Sequence, residues 1–287
     1  MAYGSPERLE DVPAYYADIR GGRPIRQELL DDLVGRYRAL GIDRESPLNA
    51  ITEETRAALE RHLGDIPVFT GMKHWTPRIS DAAEQALACG ATTVVGLVLA
   101  PHYSRLSIAG YKQQLDQALA GRAELLFVDS WHDDPAFVEV LADRVRGTQA
   151  HVVFTAHSLP QRILGEGDPY RDQLLDTSRL VAERGGIGEW SFSFQSESPT
   201  GEPWLGPDIL DHLEDLHARR VRSVLVCPVG FVADHLEIRW DLDREALDKA
   251  RELGMELARI EMPNADPPFV RVLGNLVRRA LPVPSEA

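Results

Sequence analysis

The chain has 287 residues, 44% of them hydrophobic, which gives one large domain or two modest ones with ample material for a packed core and excludes a disordered chain. A formal net charge of −14 argues against nonspecific nucleic-acid binding, which needs a basic surface. Two distant cysteines, Cys89 and Cys227, support neither a disulfide framework nor a zinc knuckle nor a four-thiolate iron–sulfur cluster. No apolar stretch approaches the ~20 residues of a membrane span, and no secretory leader is visible, so a cytoplasmic location is expected.

Near the start, Arg20, Arg23 and Arg26 fall within IRGGRPIR. An arginine cluster in an acidic chain suits a polycarboxylate or phosphate ligand, and it equally suits a solvated helix end. Further on, the apolar runs ATTVVGLVLA (91–100), ELLFVDSW (124–131), HVVFTAH (151–157), WSFSFQS (190–196) and RSVLVCPVG (222–230) read as strands. Helical patterns fill the intervals at 111–122, 135–147, 170–186 and 207–220. This alternation predicts an α/β protein of βαβ units with parallel sheets, and the Val/Leu-rich strands predict helices on both faces. Neither GxGxxG nor a Walker-type loop nor HExxH occurs, so the usual nucleotide and zinc-protease signatures are missing.

Three strands end alike, in LAPHYS (99–104), FTAHSLP (154–160) and CPVGFVADH (227–235). Each sets a histidine, His102, His157 or His235, at or soon after a strand's carboxyl end, where ligands bind in open α/β sheets. Singly, each also fits a hydrogen-bonded structural role, and a structural hydrogen bond is the expectation for His235. After the last strand come Asp234, Glu237, Asp241 and Glu245, the final three spaced by four and so on roughly one helical face. Like charges at that spacing disfavour a helix by a few tenths of a kcal/mol. A histidine facing such acids suits a divalent first-row metal or proton abstraction. A solvated face paired with Arg239 and Arg244 fits the same spacing.

FTAHSLP and VGFVADHLEIRWDLDRE (229–245) closely resemble the two signature segments of ferrochelatases. MAYGSPE, IRGGRP, RYRALG, SPLN, MKHWTP, LAPHYS, GDPY and SFQSE with EPWLGPD agree in the same order, so the resemblance spans essentially the whole chain. MAYG and the Lys-His pair resemble the monomeric branch of Gram-positive and actinobacterial bacteria, which acts on coproporphyrin III rather than protoporphyrin IX. The resemblance implies two Rossmann-like domains with a porphyrin cleft between them, 1–101 with 262–287 and 102–261, the C-terminal helix around 267–281 returning to the first domain.

It also implies an enzyme of haem biosynthesis that takes Fe2+ as substrate and uses no organic cofactor. His157 and Glu237 would bind the ferrous ion and handle the pyrrole protons. Asp241 and Glu245, with Arg36, would form an outer site for Mg2+ or another divalent ion. Tyr3 would approach the metal face opposite His157, while Arg20, Arg36, Tyr37, Ser46 and Tyr111 match positions around the tetrapyrrole. Lys73 and His74 match a pair near the cleft, with packing as their alternative. Beyond the porphyrin and Fe2+, the expected partner is a neighbouring haem-pathway enzyme in transient contact, with no nucleic acid.

The sequence departs from the family twice. Relatives carry apolar residues before MAYG that form a first strand, so a start upstream of Met1 is expected. Many actinobacterial relatives hold a [2Fe–2S] cluster on four cysteines, and two cysteines predict a cluster-free enzyme. The readings kept beside iron insertion are a chelatase for another metal or for protoporphyrin IX, and a noncatalytic tetrapyrrole or metal carrier on the same architecture.

Overall fold

A computed structural model describes residues 1–41, 47–198 and 200–282. The chain divides into two compact units, one of Met1–Ala100, Arg105–Trp131 and Asn264–Ala287, the other of Pro101–Ser104 and His132–Pro263. The boundary expected after residue 101 assigned Arg105–Trp131 to the second unit. These residues stay with the first because their strand pairs with the first unit's strand and their helix packs on its helix.

In the first unit, α1 (Val12–Ile19), α2 (Gln27–Ala39), α3 (Pro47–Leu63) and α4 (Ile79–Ala88) precede β1 (Thr93–Leu97). Helix α5 (Ile108–Leu119) then leads to β2 (Glu124–Val128), which runs parallel to β1. The chain enters beside β1. The Met1 amine donates to the Leu97 carbonyl at 2.6 Å, the Leu99 amide donates back to Met1, and Ala2 makes the equivalent pair of bonds with Gly71 and Lys73. Gly4, at φ +86°, turns the chain away after Tyr3, and a Cβ there would lie 2.7 Å from that of Trp75.

In the second unit, α6 (Pro135–Val145), β3 (His151–His157), α7 (Tyr170–Gly185), β4 (Trp190–Gln195), α8 (Ile209–Ala218) and β5 (Ser223–Cys227) alternate. A π-helix, Ile238–Ala246, continues into α9 (Leu247–Glu252), and β6 (Glu256–Arg259) completes the unit. The sheet is wholly parallel, ordered β4-β3-β5-β6. Asp134 and Asp208 cap α6 and α8 by accepting from first-turn amides, a contribution of about 1 kcal/mol per cap. Val153, Val224 and Val226 of the sheet pack with Ile209, Leu213 and Leu216 of α8 and with Ile238, Leu242 and Ala246 of the π-helix.

The C-terminal helix α10 (Pro267–Ala280) packs on α3 and β2 of the first unit. Its buried face holds Phe269, Val270, Leu273 and Val277, while Arg271, Arg278 and Arg279 stay outside. Among the described residues no helix is long and apolar enough to cross a membrane.

Candidate active site

Strand β3 is buried along its length until His157, where its side chain emerges at the carboxyl end of the sheet with about 30% exposure. The ring Nδ1 meets the Ser158 carbonyl. A carbonyl only accepts, so Nδ1 carries a proton, and in the neutral form of the ring the lone pair lies at Nε2. That Nε2 lies 3.9 Å from Glu237 Oε1. The gap is too long for a direct hydrogen bond. Metal–ligand bonds of about 2.1 Å on each side span up to roughly 4.2 Å, so an ion fits between the two atoms.

Glu237 sits at the mouth of the π-helix, and its second oxygen is taken. His235 Nε2 lies 2.5 Å from Glu237 Oε2, and its Nδ1 donates to the Ala233 carbonyl at 2.8 Å. Burial pulls the pKa of His235 down, but the Glu237 carboxylate, the bonds to Glu237 and Ala233, and the Asp241 charge outweigh it, and the net shift is upward. The raised pKa favours the cationic form of His235, and a cation at that distance favours the carboxylate form of Glu237. The expected structural hydrogen bond exists, to Ala233, yet the same ring also serves the acid of the candidate site.

The remaining acids are spread along the helix, each with its own partner. Asp241 is only 5% exposed and accepts from the Ser196 hydroxyl and, at 3.5 Å, from Gln195 Nε2. Glu245 accepts from Trp240 Nε1 at 2.7 Å. Arg244 lies over the Trp240 ring, 5.4 Å from its centroid. Among the described residues no group of three or more His, Cys, Asp or Glu side chains is gathered tightly enough to hold a metal ion.

Three other segments brace His157. The Tyr170 hydroxyl, buried and with its pKa raised by that burial, donates to the His157 carbonyl at 3.0 Å. Gly230 crosses β3 so closely that a Cβ would stand 2.5 Å from that of Ala156. Asp168 ties the two ends of this brace, receiving the Tyr170 amide and the Ser104 hydroxyl. His102 does not join His157 and His235. It is buried against Thr177 at 2.9 Å, and burial, with His132 nearby, holds its pKa well below the usual value.

The other sequence-predicted residues belong to the first unit. Tyr3 is exposed, its ring 4.6 Å from that of His74. His74 Nδ1 pairs with Asp18 at 2.9 Å, and Arg78 holds the same carboxylate at 3.0 Å. Lys73 donates to the Ser107 carbonyl and lies over the Tyr111 ring, and burial lowers its pKa. Tyr37 is buried with its hydroxyl 3.3 Å from that of Ser5, and Arg36 pairs with Asp32 at 2.9 Å. Arg20 Nε is buried and has no hydrogen-bond partner among the described residues. Ser46 lies outside the described residues.

The sequence model of the family described as Ferrochelatase matches residues 1–281. This chain belongs to the ferrochelatase family. It is 43% identical to a "Ferrochelatase" of Herpetosiphon aurantiacus, the match covering 96% of each chain. It is 41% identical to a "Coproporphyrin III ferrochelatase" of Halalkalibacterium halodurans over 98% of this chain and 96% of that one. Among solved structures it is similar to SirB from Bacillus subtilis with Fe3+, at a TM-score of 0.62 and 14% identity, covering 82% of this chain and 91% of that one, which shows a shared chelatase fold. Within this ferrochelatase chain, Gln195, Tyr170 and Arg259 went unmarked in the sequence reading. Arg259 binds Asp234 at 2.8 Å and also Asp243, pinning the loop ahead of Glu237 to the π-helix. Its one sequence signal is an arginine closing a short strand. Gln195 and Tyr170 lie inside segments already quoted for the resemblance, SFQSE and GDPY.

Proposed function

We propose that this chain inserts Fe2+ into coproporphyrin III, with His157 and Glu237 as the reacting pair. The observation that carries this is His157 Nε2 facing Glu237 Oε1 across 3.9 Å at the carboxyl end of β3. The names of the relatives support the reaction class and the porphyrin. Insertion exchanges two pyrrole N–H protons for one Fe2+, so the site has to accept protons and offer ligands in one place. His157 Nε2 is a neutral base or a metal ligand, and Glu237 Oε1 stabilises either the imidazolium or the ion. His235, its pKa raised by the contact, favours Glu237 as a carboxylate.

A flat porphyrin keeps its nitrogen lone pairs in the ring plane. Saddling the ring turns lone pairs toward the metal and protons toward the base, a distortion driven by contacts remote from the nitrogens. Coproporphyrin has four carboxylates for such contacts, and the guanidinium of Arg20 is chemically suited to one of them. Tyr3, Tyr37, Tyr111, Lys73 and His74 match, by the resemblance, positions around the tetrapyrrole. Asp241 and Glu245, on the turns after Glu237, mark the route of the ion.

The test is anaerobic ferrous insertion, followed by absorbance, with coproporphyrin III and protoporphyrin IX side by side. Wild type is expected to metallate coproporphyrin III, and His157→Ala and Glu237→Ala to lose at least a hundredfold in rate. Preference for protoporphyrin IX would overturn the substrate. Tight porphyrin binding without insertion would make the protein a carrier.

A further inference from the structure

His157 and Glu237 are not bonded to one another, so something else must fix their separation. A residue of β4 reaches both elements. Gln195, at the end of β4, is fully buried and lies opposite His157 in the parallel register. Its backbone carbonyl accepts from the Ser158 amide at 2.7 Å, and its side-chain Oε1 accepts from the Thr155 hydroxyl at 3.0 Å. Thr155 and Ser158 bracket His157. Gln195 Nε2 donates to the Glu237 carbonyl at 3.2 Å and approaches Asp241 Oδ2 at 3.5 Å.

Glu237's carbonyl can only accept, so the amide nitrogen must face it and the oxygen must face Thr155. Glutamine suits this place chemically: it carries an acceptor and a donor on one short planar group. Glutamate would lose the donor, and methionine would lose both ends at similar volume. Ser196, next in the chain, is held at φ +64°, a conformation uncommon outside glycine, and from there its hydroxyl reaches Asp241. A non-glycine residue in that region at a candidate site is stabilised by its surroundings.

We propose that Gln195 is a positioning residue that sets the His157–Glu237 gap, tying the carboxyl end of β3 to the start of the π-helix. The inference rests on the reading that His157 and Glu237 handle the ferrous ion and the protons. Bridging an ion between two side chains tolerates little error in their distance, and an error of about 1 Å can cost roughly a hundredfold in rate.

The experiment measures anaerobic Fe2+ insertion into coproporphyrin III by the full chain and by Gln195→Met, Gln195→Glu and Thr155→Val, with His157→Ala and Glu237→Ala as controls. KM is taken separately for Fe2+ and for porphyrin, and thermal melting reports folding. The expected result for Gln195→Met and Gln195→Glu is a fall of about ten- to a hundredfold in kcat/KM for Fe2+, with the porphyrin KM unchanged. Thr155→Val, which removes one arm of the bridge, should show a smaller loss with the same split, and it serves if the Gln195 variants do not fold. Folded Gln195 variants with wild-type kinetics, or losses shared equally by both substrates, would overturn the inference while leaving the site reading intact. Full activity in His157→Ala and Glu237→Ala would overturn both.

Discussion

Glu237 has two imidazole neighbours with different duties. His157 Nε2 faces one of its oxygens, and His235, whose raised pKa favours the cation, closes on the other. The cation matters because a carboxylate without it has a higher pKa. His235→Gln is therefore expected to move the acid limb of the kcat/KM profile for Fe2+ to higher pH, the high-pH plateau changing less. An acid limb that stays in place would remove His235 from the site. The two residues were legible in the sequence through the resemblance, as the HSLP histidine and the GFVADHLE glutamate, and the structure sets them 3.9 Å apart. His235 was harder to read because residues two apart ordinarily diverge. Here the backbone turns immediately after β5, and the Ala233 carbonyl fixes the ring so that Nε2 points to Glu237. Gln195 was illegible for a plainer reason: a glutamine that ends an aromatic strand gives no pattern until its two partners are placed.

Elements show the same division between pattern and context. The runs behind β1 to β5 are near-continuous apolar segments, and each folds as a strand close to its expected limits. β6 escaped notice because Glu256–Arg259 alternates exposed and half-buried residues and has a partner on one side only, β5. The helix expected through the acids exists, but as a π-helix, a form tied to packing rather than to residue propensity. At the amino end, Met1 and Ala2 pair in parallel with β1 on one side and with 71–73 on the other. Beyond Met1 this strand-wide slot opens into a cavity of about 230 Å3 lined by Leu59, Phe69, Val94, Val95, Leu273 and Val277. By that register, residues placed before Met1 would run alongside Thr93–Leu97, a strand of five. A variant with five extended apolar residues ahead of Met1, such as Val-Thr-Val-Leu-Val, is expected to bury them there and to melt several degrees higher than the chain beginning at Met1. Unchanged melting would mean that the slot does not accept a strand.

For the whole molecule, the groups that titrate near neutrality mostly give stability one direction of pH dependence. Burial lowers the pKa of the Met1 amine from 8.0 to about 5. Burial also lowers His74, His102, His151 and His212, with His132 adding to the shift of His102, and His151 and Arg219 to that of His212. In each case the unfolded chain binds the proton more readily than the folded one. Stability is then present above the unfolded pKa and falls as pH drops through it, by about 1.4 kcal/mol per pH unit for each proton taken up on unfolding. His235 has the opposite sign, since its folded pKa is raised, and so does Asp208, raised chiefly by burial. The two sources of acid sensitivity separate by window: Met1 acts from pH 8 downward, the histidines only below about 6.5. Urea midpoints are expected to fall between pH 8 and pH 7 for the chain as it stands. They should stay nearly level over that interval in the variant extended ahead of Met1, where an amide replaces the amine. Below pH 7 both should fall, the unextended chain more steeply because its amine goes on taking up a proton on unfolding down to about pH 5, and His102→Asn in the unextended chain should fall less steeply than that chain itself. Parallel curves for the extended and unextended chains between pH 8 and pH 7 would show that the Met1 amine is not held neutral in the fold.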